Sequence, residues 1–122
     1  MNWAALVAAA LCAGVGVAHS YLGERYILIR LFRRADLPHL FGSDVFTKRT
    51  LRFAWHLTTL AWWGLGALVL LLAGRAPVET LGTAVAATFA ATALVTLLGS
   101  RGRHLAWPVF TAIAVAAWCA TH

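Results

Sequence analysis

The stretch FAWHLTTLAWWGLGALVLLL, residues 53–72, contains no Asp, Glu, Lys or Arg and is closed by Ala73-Gly74-Arg75. At about 1.5 Å per helical residue it is as long as a bilayer's hydrocarbon core is thick, about 30 Å. In hydrocarbon, backbone N–H and C=O groups must be paired inside the segment or in a closed barrel. The run is rich in Leu and Ala and lacks the apolar/polar alternation of a barrel strand, so it reads as a transmembrane helix.

Three further runs of the same kind surround it, at 3–22, 80–98 and 105–120. The chain is 61% apolar and 11% charged, with a mean hydropathy of +0.78, outside the range of soluble domains. These features predict an all-α integral membrane protein. The expected architecture is a four-transmembrane-helix bundle, one domain over 1–122, with a basic cytoplasmic loop between helices 1 and 2. The first run is read as a span and not a secretory signal, because no Lys or Arg precedes it and it is long enough to cross.

Basic residues set the orientation. Arg25, Arg30, Arg33, Arg34, Lys48, Arg49 and Arg52 fall between runs one and two, Arg101 and Arg103 between runs three and four. The intervening loop has Arg75 with Glu79. Short Lys/Arg-rich loops stay cytoplasmic, which places both termini on the outer side. The net charge of +6 is then a topology signal with attraction for an anionic lipid bilayer, and no nucleic acid is needed to explain it. Nine Arg against one Lys in an Ala- and Gly-rich chain points to a coding genome rich in G and C, hence to a bacterial-type inner membrane.

The first loop, 23–50, holds an apolar segment at 26–32 flanked by Arg25, Arg33 and Arg34. The expectation is that Gly23 breaks the first helix and that this segment lies along the interface. Ser43 is placed to cap a helix running through Val45, Phe46 and Leu51 into the second span.

Three histidines stand out, in HSYLGE at 19–24, RFAWHLT at 52–58 and GRHLAWP at 102–108. Counting about 20 residues per span places His19, His56 and His104 in one layer just inside the cytoplasmic face. Ala5, Ala9, Cys12, Gly16, His19 and Gly23 form one helical stripe of mostly small residues, which allows close helix approach and carries His19 inward. Imidazole is a common ligand of transition metals and of haem iron, so His19, His56, His104 and Glu24 form a candidate metal set. Glu24 joins it only through a break at Gly23. With Trp63, which shares the His56 face, the same histidines make a candidate haem or quinone site. The competing reading is hydrogen bonding across helices, with Arg25, Arg30, Arg33, Arg34, Arg52 and Arg103 on lipid head groups.

Thr88, Thr92 and Thr96 recur every four residues and read as hydroxyls bonded to their own backbone. Cys12 and Cys119 fall at different depths and read as packing residues. No Ser-His-Asp grouping, phosphate-binding loop or carboxylate pair is evident, which leans against an enzyme. Three functions fit the pattern. The first is a protein that holds a metal, haem or quinone at a His/Arg cluster. The second is an accessory subunit packed on a membrane-protein partner or on its own copies. The third is an interfacial enzyme that acts on lipid head groups, with His19 or His56 as base and arginines on phosphate.

Overall fold

A computed structural model describes residues 2–122, and the described chain is helical, without a strand. Four helices follow in order: α1 (Trp3–Leu31), α2 (Val45–Ala73), α3 (Val78–Ser100) and α4 (Ala106–Thr121). The first three are long and apolar enough to cross a membrane, and α4 is a shorter apolar helix.

Each start has a local cause. Asn2 accepts from the Ala5 N–H at 3.2 Å and caps α1. Before α2 the chain turns tightly, Leu40 and Ser43 exchanging backbone bonds across Phe41 and Gly42, both at positive φ. Ser43 Oγ then accepts from Val45 N at 3.4 Å, but the cap position is Asp44, whose side chain makes no capping bond, so the start of α2 falls one residue beyond the expected cap at Ser43. Pro77 precedes α3, where its missing N–H costs no helical bond.

The expected break at Gly23 does not occur. Residues Gly23–Leu28 form a π-helical turn and the helix runs on through Ile29–Leu31. The segment contains no proline, and YILI continues a helix readily. A π turn accommodates an extra residue without ending the helix, and such turns gather at functional positions. Trp55 packs opposite this turn: Gly23 is buried, and a Cβ there would overlap the Trp55 indole nitrogen. The segment 26–32 therefore prolongs α1 beyond the apolar run and does not peel away from it.

The four-helix count fits the expectation, and the packing gives the order of the helices. Among the described residues, helices touch only in chain order, α1 on α2, α2 on α3 and α3 on α4. The four form an open row one helix thick, with α1 and α4 as its edges. Small residues explain the row. The α1 stripe faces α2, with Ala5, Gly16 and Gly23 buried and a Cβ on Gly66 placed 2.9 Å from that of Cys12. Helix α3 has small residues on both sides, Gly99 against Phe53 and Gly82 against Thr121, so it receives both neighbours. Where the surroundings are as apolar as the side chains, such close approach holds helices together better than burial does.

The threonine ladder on α3 behaves as expected. Thr88, Thr92 and Thr96 each donate to the carbonyl four residues back at 2.8 Å, and Ser100 continues the series at 2.7 Å. Those carbonyls already accept a helical N–H, so the hydroxyls add little. Thr96→Val, at a fully buried position, is expected to change unfolding free energy by less than about 0.5 kcal/mol. A larger loss in detergent unfolding would give the ladder a structural role of its own.

Candidate functional site

The site lies at the end of the row where α1 and α3 finish. Arg49, Arg52, Phe53 and His56 recur at spacings of three and four, so they share one face of α2. Opposite stand Val95, Leu98 and Gly99 of α3, and Arg101 of the turn that follows. Together they line a cleft of about 460 Å³. Arg101 is held there by the end of α3: it takes the left-handed conformation (φ 52°) usually given to glycine, while Gly102 N bonds Leu97 O at 2.8 Å.

On its other side His56 meets α1. Ser20 Oγ lies 2.8 Å from His56 Nδ1 and 2.7 Å from Thr59 Oγ1, and Thr59 donates to Gly16 O at 3.1 Å. His56 Nε2 is 3.4 Å from Glu24 Oε2. Arg52 grips the same carboxylate through Nη2 at 2.8 Å and Nε at 3.2 Å, and its guanidinium lies over the Phe32 ring. A continuous polar chain thus runs Arg52, Glu24, His56, Ser20, Thr59, Gly16 O. Among the described residues Arg49 and Arg101 form no ion pair with a carboxylate.

The three histidines lie at the same end of the row without converging. His19 stacks on Trp55 with ring centroids 4.5 Å apart and meets the edge of Trp62 at 5.0 Å. Its Nε2 donates to Trp55 O at 3.2 Å while Trp55 Nε1 donates to His19 O at 3.0 Å. This reciprocal clamp fastens α1 to α2. His104 Nδ1 accepts from Ala106 N at 3.2 Å at the start of α4, and its ring abuts Phe53. Among the described residues no three His, Cys, Asp or Glu side chains are grouped to hold a metal ion, so the set His19, His56, His104, Glu24 is not assembled. Only Glu24 and His56 of that set meet.

No protein-family description, curated protein or solved structure matches the chain. Its chemistry rests on its own residues.

Trp63 donates through Nε1 to Ala13 O at 3.3 Å, over Gly16, and the residue is otherwise exposed. Of the arginines read as head-group contacts, Arg25, Arg30, Arg33 and Arg103 are exposed. Arg34 pairs with Asp36 at 2.8 Å, and that bond holds the Asp36 carboxyl below the usual carboxylate range. Arg52 is tied to Glu24. Thr59 shares the His56 face by its spacing and Arg49 and Arg101 count toward orientation, but Ser20 carries no signal of its own, although HSYLGE places Ser20 and Glu24 one turn apart and RFAWH does the same for Arg52 and His56.

Both His56 nitrogens have protein partners, which leaves no lone pair for a metal or haem iron without breaking the chain. Three guanidiniums beside one carboxylate suit an anion.

Proposed function

We propose that the chain is a small multi-pass membrane protein whose polar end binds the anionic head of a membrane amphiphile. The observation that carries this reading is the cleft between α2 and α3. It offers Arg49, Arg52, Arg101 and His56 at its rim and Phe53, Val95 and Leu98 as an apolar wall. A phosphate or carboxylate head pairs with guanidinium forks, and a hydrocarbon tail follows the wall along the helix row. In this reading the basic end faces the cytoplasm of a bacterial-type inner membrane, with both termini opposite. The arginine density and the engaged imidazole favour an anionic amphiphile over a transition metal or haem, and an uncharged quinone gains less from three guanidiniums than an anion does.

The test is lipid retention by the purified full chain in mild detergent, read by native mass spectrometry. Phosphatidylglycerol is expected to be retained in preference to phosphatidylcholine. The double variant Arg49→Gln/Arg101→Gln is expected to lose about thirtyfold in affinity, taking roughly 1 kcal/mol per cationic contact. Equal retention of the two lipids, or an unaffected double variant, overturns the reading.

A second reading, an accessory subunit, is favoured by the row's open edges, since α1 and α4 each touch a single neighbour. Co-purification of a stoichiometric membrane partner would support it.

A further inference from the structure

Building on the anion-cleft reading, we propose that the cleft binds its anion together with a proton, which is held on His56 and shared along Ser20 and Thr59. Hydrogen-bond direction carries the argument. Glu24, gripped by Arg52, can only accept, so His56 Nε2 bears a hydrogen. In the neutral ring Nδ1 is then an acceptor and takes the Ser20 hydroxyl proton. Ser20 and Thr59 oxygens are 2.7 Å apart and need one proton between them. With Ser20 turned to His56, that proton is Thr59's, and Thr59 abandons Gly16 O.

Protonating Nδ1 reverses the line. His56 donates to Ser20, Ser20 to Thr59 and Thr59 to Gly16 O at 3.1 Å. Every donor then has an acceptor, and one more bond is made than in the neutral state. The proton comes from water and returns to water on release, and only an N–H bond forms and breaks.

The same imidazole lines the cleft. Its charge adds to those of Arg49, Arg52 and Arg101, so proton and anion favour each other's binding, and the coupling is reciprocal. The charged groups around His56 are Glu24 from α1, Arg49 and Arg52 from α2, and Arg101 from the turn after α3. Of the other two titratable rings, His104 lies beyond Phe53 and His19 against Trp55 and Trp62. A charged imidazole also takes a larger share of the Glu24 carboxylate, which frees Arg52 toward the cleft.

The experiment measures binding of phosphatidylglycerol, whose head stays singly charged, to the full chain at pH 8 and pH 5.5, with sodium sulfate as the free-anion arm. Affinity for the lipid is expected to rise about tenfold at the lower pH. His56→Gln, which takes no proton, is expected to differ less than about twofold between pH 8 and pH 5.5, whatever its affinity at pH 8. Thr59→Val, which removes the acceptor for Ser20, is expected to cut the wild-type response to about threefold. Calorimetry on the unmodified chain, in two buffers of different ionisation enthalpy, reads proton uptake without any variant. An uptake averaging about 0.4 proton per anion over this range, the slope of a tenfold change across the two pH values, supports the proposal, and none overturns it. The same pH response with sulfate supports linkage to charge alone, and a response confined to the lipid supports linkage to a head group. Binding equal at both pH values overturns the proton linkage and leaves the cleft standing. Binding that ignores Arg49→Gln/Arg101→Gln overturns both.

Discussion

Gly23→Ala is expected to destabilise the protein by about 1–3 kcal/mol, the range for a methyl forced into a filled site. The added Cβ overlaps the Trp55 indole nitrogen, and that indole is tied to α1 by two contacts. It donates to His19 O at 3.0 Å and lies flat on the His19 ring, so moving it breaks both halves of the clamp between α1 and α2. Gly14→Ala is the control, because a Cβ there meets nothing within 4 Å. With the better helix propensity of alanine, that change is expected to be neutral or slightly stabilising. Unfolding in mixed micelles, followed by far-UV circular dichroism, compares the two. If Gly23→Ala and Gly14→Ala behave alike, the clamp does not hold the helices.

Glu24→Ala is expected to act in opposite directions on stability and on binding. The carboxylate accepts from Arg52 and His56, and its loss strips both of their partner. Arg52 is half exposed and water replaces part of the lost contact, so the expected cost is about 1–2 kcal/mol and not that of a buried pair. Removing the sole negative charge beside the cleft frees Arg52 for the ligand, so affinity for phosphatidylglycerol is expected to rise about fivefold at pH 8. Micellar unfolding and native mass spectrometry on one preparation read both effects. Weaker lipid binding by Glu24→Ala would mean that the carboxylate helps to hold the ligand instead of competing with it.

The helices were legible because each apolar run is unbroken, and the start of α2 to within one residue because Ser43 follows a tight turn. Two features were not. The π turn leaves no mark in composition: Gly23 reads as a stop, and its close approach to Trp55 of α2 is visible only in the folded chain. The open row is equally hidden, since small residues announce contacts without saying how many neighbours a helix has; α3 has two and α4 one. For the site, depth counting brought His19, His56 and His104 to the same end, yet depth does not fix direction. The informative spacing was the four residues from Ser20 to Glu24, matched by the four from Arg52 to His56, which sets two polar pairs face to face.

The unequal lengths of the helices have a mechanical consequence for a surrounding bilayer. Helix α1 has 29 residues, about 43 Å, whereas α4 has 16, about 24 Å and short of the roughly 30 Å hydrocarbon core. A long helix relieves such mismatch by tilting, a short one by thinning the lipid beside it. On the proposed membrane placement, the leaflet beside α4 is expected to thin, which brings its phosphate plane toward the level of Arg101 and His104. The proposed amphiphile would then reach the cleft by lateral drift within its own leaflet, with no need to be lifted out of it.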